Sequence, residues 1–340
     1  MRKRRIGILL AEMLSASLML AACSSKEAGN AQQTMATAES TESAAESAAS
    51  DEASEGITVK LINGSFRGTV EDNGVYTWKG IPYAKPPVGE LRWKAPENVE
   101  ASDESFDAFD FGYSCPQYEW PSEPASYNEI SEDCLTLNVW AADTETKNKP
   151  VMIYFHGGGY AWGGTSDPLY NGKNFVKEYP DIIMVSANYR IGMFGFIDFS
   201  DVPGGEEFPD SSRLGILDQL QSIRWVKENI EAFGGDPENI TIFGESAGAG
   251  TISAIMSMEF EDDLFQRAII ESGGLSITND REGYETVGLT QALLDRTGAK
   301  SMDELMAIPE KEMIDIYLTP DEDDMTLNDM VVMPLRDGKV

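Results

Sequence analysis

Two continuous apolar runs, Val151-Met152-Ile153-Tyr154-Phe155 and Ile182-Ile183-Met184-Val185, restrict the fold more than any other feature of the chain. A strand with water on one face alternates apolar and polar residues. Runs this uniform are buried on both faces, as in a parallel sheet with helices on each side. The following segment supplies such a helix. Ile216, Leu220, Ile223, Val226, Ile230 and Phe233 recur every three or four residues, which aligns them as one helical stripe between Ser212 and Phe233. Ser212 is placed to cap its start and Gly234-Gly235 to end it; Asp236-Pro237 then turns the chain, and Asn239 to Phe243 reads as the next strand. Strand, helix, strand implies a right-handed parallel crossover, so an α/β fold is expected, with a mostly parallel central sheet flanked by helices. Residues 57–340 contain no repeat and no linker and are read as one domain.

What precedes residue 57 has a different character. Arg2, Lys3, Arg4 and Arg5 are followed by an apolar stretch from Ile6 to Ala22, interrupted by Glu12 and short for a membrane span, so residues 1–22 are read as a signal peptide. The stretch ends Leu20-Ala21-Ala22-Cys23, which resembles a bacterial lipobox. That resemblance implies lipidation of Cys23, a membrane contact limited to this N-terminal anchor, and a location at the cell surface or in the periplasm. Residues 24–56 hold seven acids, one Lys and no aromatics among Ala, Ser and Thr, too little apolar area to offset ordering entropy. They are read, with Cys23, as a disordered acidic tether reaching roughly 30 Å.

Composition narrows function by exclusion. With 26 Lys plus Arg against 58 Asp plus Glu, the formal charge is −32, and a body this acidic repels phosphate backbones. Nucleic acid is therefore not an expected partner. One His and three Cys cannot build a multi-His cage or a four-Cys zinc site, and no metal or cofactor is expected.

The chemistry-bearing residues lie just after the Asn239–Phe243 run. Gly244-Glu245-Ser246-Ala247-Gly248 matches G-x-S-x-G, in which a nucleophilic Ser sits on a sharp strand-to-helix turn between two glycines. Taken alone, the pattern arises by chance in about one chain in ten of this length. Its context is more telling, because an apolar run precedes it and Ala247 to Met258, rich in small and apolar residues, follows. Upstream, the run ending at Phe155 passes into His156-Gly157-Gly158-Gly159. Consecutive glycines there leave backbone N–H groups uncovered, as an oxyanion hole requires.

Further motifs carry a family resemblance. Gly80-Ile81-Pro82-Tyr83-Ala84, then Pro86-Pro87-Val88-Gly89 and Leu91-Arg92-Trp93, resemble the N-terminal signature of the type-B carboxylesterases, which include the cholinesterases. Ser131-Glu132-Asp133-Cys134-Leu135 with Leu137-Asn138-Val139-Trp140 resembles the family's second signature. Asn188-Tyr189-Arg190, Asp218-Gln219 and Phe233-Gly234-Gly235-Asp236-Pro237 follow in family order. The resemblance implies the α/β-hydrolase fold and hydrolysis of small-molecule carboxylic esters through an acyl-enzyme. It makes Ser246 the nucleophile, places the oxyanion hole at the N–H groups of Gly158, Gly159 and Ala247, lets Glu245 tune the local charge, and pairs Cys115 with Cys134.

One departure from the family stands out. The triad should run Ser, then Asp or Glu, then His, yet no His follows Ser246, and the lone His156 precedes it. Neither the turn residue Asp236 nor the acids from Asp321 to Asp324 replace an imidazole. Met333 to Gly338 resembles the segment that comes shortly before the acid loop. The expectation is therefore a C-terminally truncated catalytic domain, inactive on its own. A non-catalytic binding protein of the same fold and an inactive gene fragment are the alternatives. Trp120 and Trp162 fit a core or a substrate wall equally well, and the sequence does not specify the ester or the oligomeric state.

Overall fold

A computed structural model describes residues 57–117, 129–258, 263–274, 288–321, 325–330 and 332–334. The expected signal segment, Cys23, the tether, Trp120, three of the acids after Asp321 and the stretch after Pro334 lie outside the described residues.

Strands β1 (Thr58–Leu61), β2 (Gly64–Arg67), β3 (Thr69–Val70), β4 (Tyr76–Pro82), β5 (Ser105–Asp107), β6 (Thr136–Ala141), β7 (Lys149–Phe155), β8 (Ile183–Ala187), β9 (Gly235–Glu245) and β10 (Arg267–Glu271) form two sheets. The smaller has the order β1-β2-β5 and the larger β10-β9-β7-β8-β6-β4-β3. Within the larger sheet β10, β9, β7 and β8 pair in parallel, while β6, β4 and β3 continue it through antiparallel ladders. The sheet is thus mixed, with a parallel half that carries both of the apolar runs. Helices α1 (Lys173–Glu178), α2 (Gly192–Gly195), α3 (Leu214–Asn229), α4 (Ala247–Ile255), α5 (Leu289–Thr297), α6 (Met302–Met306) and α7 (Glu310–Leu318) complete the described elements.

The uniform strands do lie between two apolar layers. Val151, Ile153 and Phe155 of β7 and Ile240 and Ile242 of β9 join the main core with Leu220, Ile223 and Val226 of α3. Their alternates Tyr154 and Phe243 turn to a second cluster with Trp140, Val176 and Met184. That division follows from the two-residue period of a strand, whose side chains point alternately to opposite faces.

Helix α3 is where the expectation needs correction in detail. All six stripe residues are buried, and Gly234 ends the helical segment in the left-handed conformation at φ 90°. Ser212, however, does not cap it. Residues 211–213 form a separate 3-10 turn, α3 begins at Leu214, and no side chain caps that start. The next strand also starts earlier than Asn239. Gly235 already pairs with Lys149, and the register then jumps to Ile240 opposite Val151, so Asp236 to Asn239 bulge out of the ladder. The Asp236 carboxylate accepts the Glu238 N–H at 2.9 Å within this bulge, which is the local turn that Asp-Pro chemistry favours.

Candidate active site

The strand order makes the site. From β7 the chain steps to β8 on one side and returns to β9 on the other, so the carboxyl ends of β7 and β9 flank a topological switch point, where open α/β sheets bind ligands. Register then fixes which residues meet there. Phe155 pairs with Gly244, so the glycine loop after β7 and the Glu245–Ser246 turn after β9 emerge side by side despite ninety residues of intervening chain.

Ser246 occupies the N-cap of α4 at φ 51° and ψ −114°. A left-handed φ opposes any side chain and is adopted where the surrounding structure enforces it. The enforcement comes from hydrogen bonds and from glycines. Ser246 N–H donates to Glu271 O at 2.9 Å, and its carbonyl accepts from Gly250 N at 2.9 Å. A Cβ on Gly244 would stand 2.7 Å from Phe155 O, and one on Gly248 would collide with the same carbonyl. Both glycines of G-x-S-x-G are therefore required for this turn to press against the end of β7. Serine at an N-cap ordinarily spends its hydroxyl on a helix N–H, but here no capping bond forms, and among the described residues nothing pairs with Ser246 Oγ. The residue itself is partly exposed.

The loop facing it presents backbone N–H groups toward the elbow. A Cβ on Gly157 would sit 3.2 Å from Ser246 Cβ and 2.6 Å from Glu245 Oε2, so the loop lies directly against the elbow. Gly158 and Gly159 both take positive φ, 108° and 60°. Among the described residues no acceptor is bonded to the N–H groups of Gly158, Gly159 or Ala247. Ala247 is the first residue of α4, whose N-terminal amides have no partner within the helix and carry its positive dipole end. Free amides beside a free serine hydroxyl can stabilise negative charge on an oxygen attached to the carbon that the serine attacks.

His156 is tied into the glycine loop. Its ring is buried, stacked on Tyr189 at 4.4 Å between centroids, and Nδ1–H donates to Gly157 O at 2.8 Å. Burial pulls its pKa from the ordinary 6.5 down to about 4, outweighing the upward pull of the bond to Gly157. Its own carbonyl accepts the Tyr189 hydroxyl at 2.6 Å. The histidine is a neutral anchor for the glycine loop.

Other motif residues prove to be framework. Arg190 grips Asp218 through Nη2 and Nε at 2.7 and 2.8 Å, tying the segment after β8 to α3. Arg92 holds Glu132 at 2.7–2.9 Å and reaches Ile308 O. Tyr83 donates to Asn188 O at 2.6 Å, and Asn188 in turn accepts Thr165 N at 2.9 Å. Cys115 and Cys134 form a disulfide with Cα atoms 5.1 Å apart.

Motif reading missed a pocket of about 440 Å³ beside the elbow, lined among others by Tyr154, Tyr170, Phe243, Glu245 and Glu271. Burial first, then each other's proximity and the two carboxylates, raise the Tyr154 hydroxyl pKa; burial also leads for Tyr170. Both phenols stay protonated. Tyr154 could have been suspected, since it is the one hydroxyl-bearing residue in an otherwise apolar run. Nothing in the sequence marks Tyr170 or Glu271.

Comparison with known proteins now decides the family. The model of the carboxylesterase family matches residues 55–338. The chain belongs to the carboxylesterase family. Its sheet and elbow are accordingly those of the α/β-hydrolase fold. A para-nitrobenzyl esterase of Bacillus subtilis (strain 168) is 42% identical over 294 residues, covering 81% of this chain and 58% of that protein. A cholinesterase of Mus musculus is 36% identical over 269 residues, covering 76% and 43%. Among solved structures, a Geobacillus stearothermophilus carboxylesterase superposes with a TM-score of 0.71 at 39% identity, covering 83% of this chain and 56% of that one. The chain spans 43–58% of the length of these relatives.

Proposed function

We propose that this carboxylesterase-family chain carries the nucleophile and oxyanion site of a serine hydrolase acting on small-molecule carboxylic esters. The observation that supports it most is Ser246, strained at φ 51° on the β9–α4 turn, whose hydroxyl and the adjacent Gly158 and Gly159 amides have no partner among the described residues. In this reading Ser246 Oγ attacks the ester carbonyl carbon while the N–H groups of Gly158, Gly159 and Ala247 hold the oxygen. The C–O bond to the alcohol breaks, and water then cleaves the acyl-serine ester to release the acid. The proton that leaves Ser246 needs a base, and buried His156 is not suited to the role. His156 is the one histidine of the 340-residue sequence, so this reading leaves the general base and the triad acid unassigned.

The expected test is ester turnover by the protein expressed from its complete gene. Ser246→Ala should lower kcat by about a million-fold, the loss typical of removing a nucleophile that works as part of a unit. Circular dichroism should stay unchanged, and a variant with parental turnover contradicts the assignment.

The reading extends to location. Residues 1–22 serve as an export signal, Cys23 as a lipidated anchor and residues 24–56 as the tether. The Cys115–Cys134 disulfide supports an oxidising compartment, where such bonds persist.

A further inference from the structure

Resting on the ester-hydrolase reading above, we infer that Trp162 forms a wall of the substrate site and selects uncharged esters that carry a flat aromatic group. Three observations meet at this residue. Its indole packs onto the glycine loop, with Cδ2 only 3.2 Å from where a Cβ on Gly158 would stand. Yet the residue remains 46% exposed, so the rest of the indole faces solvent beside a proposed oxyanion donor. Its backbone, finally, is not free to move. Gly158 O accepts the N–H groups of both Ala161 and Trp162, at 3.0 and 3.1 Å. On the other side Gly163 exchanges two 2.8 Å hydrogen bonds with the Gln117 side chain, which also donates to Cys115 O at 3.1 Å. The backbone that carries the indole is therefore held on both sides, and through Gln117 it is tied to the disulfide-bonded Cys115.

A large apolar side chain left nearly half in water keeps apolar area that the fold does not cover. A ligand that covers it gains apolar contact without having to order the backbone beneath it first. A carbonyl held by the Gly158 N–H would bring its substituents to the loop that carries this ring. A planar group offers the offset-stacked contact that an indole favours, whereas a methyl group touches only part of it. An anionic substituent is disfavoured by the Glu245 carboxylate, which lies against Gly157 of the same loop.

The test uses the protein expressed from its complete gene, with Trp162→Ala and Trp162→Phe variants. One ester series holds 4-nitrophenol as the alcohol and compares acetyl with benzoyl and 2-naphthoyl groups. The other holds acetate as the acid and compares ethyl with phenyl and 1-naphthyl alcohols. We expect Trp162→Ala to lower kcat/KM about tenfold for the aromatic members of at least one series, a loss carried by KM, while the smallest ester is unaffected. Trp162→Phe should recover most of the loss. An equal fall for every ester means that Trp162 merely props Gly158, and unchanged selectivity in both series means that the ring is a bystander; either result overturns the inference. The underlying reading fails in a different way, by a parent protein that hydrolyses no ester in either series and takes up no fluorophosphonate, which overturns both.

Discussion

Ser246 sits where a side chain costs energy. A non-glycine residue at φ 51° is strained by about 1–3 kcal/mol, and the fold offsets this by two hydrogen bonds and the close approach of Gly244 and Gly248 to Phe155 O. That arrangement was legible at the level of residue type, because G-x-S-x-G after an apolar run names the turn. The role of His156 was legible only in part. Its place before the glycines shows that it precedes the nucleophile, but its bond to Gly157 O and its stacking on Tyr189 arise from tertiary packing. Packing also makes it a pH-sensitive point. With a folded pKa of about 4 against 6.5 in the unfolded chain, the unfolded state binds more protons between these values, so stability falls as pH drops from 6.5 towards 4. The loss reaches on the order of 3 kcal/mol at pH 4. Urea unfolding at pH 7 and pH 4 should show His156→Phe losing less stability than the parent by about that amount; equal losses would rule out a neutral, buried His156.

At the scale of elements, sequence pattern located what local chemistry controls. β7, β8 and the α3 stripe follow from apolar periodicity alone, and Gly234 marks the end of the helical segment because glycine takes φ 90° without strain. The start of α3 was misplaced for a physical reason. Ser211, Ser212 and Arg213 are drawn into a 3-10 turn whose Arg213 reaches back to the Asp210 carboxylate, leaving Ser212 outside the helix. The burial of Asp218, Gln219 and Ser222 on a helix read as amphipathic has a similar origin. Asp218 is buried because Arg190 meets it with two side-chain hydrogen bonds, a partner that no helical period reveals. The antiparallel half of the sheet was likewise hidden, since β6 is buried at every position and shows no alternation. The pocket holding Tyr154, Tyr170 and Glu271 draws on five separate segments, and only the strand order brings them together.

For the molecule as a whole, the switch point at β7 is what converts separate motifs into a site. A disulfide whose cysteines lie 19 residues apart closes a loop worth roughly 3 kcal/mol in the chain-entropy model, and through Gln117 it also steadies the loop bearing Trp162. The net charge of −32 disfavours close contact with anionic surfaces. If Cys23 is the anchor, palmitate fed to the producing cells should label the protein and partition it with membranes, and Cys23→Ser should abolish both; unlabelled parent protein would remove the lipid anchor from the account. The central claim is that Ser246 forms the covalent intermediate. Its most direct test is to treat the protein expressed from its complete gene with a fluorophosphonate, digest it and locate the adduct by mass spectrometry. One phosphonyl group per chain is expected, on the peptide containing Gly244 to Gly248 and lost in Ser246→Ala. An adduct on any other residue, or labelling that survives the substitution, would contradict it.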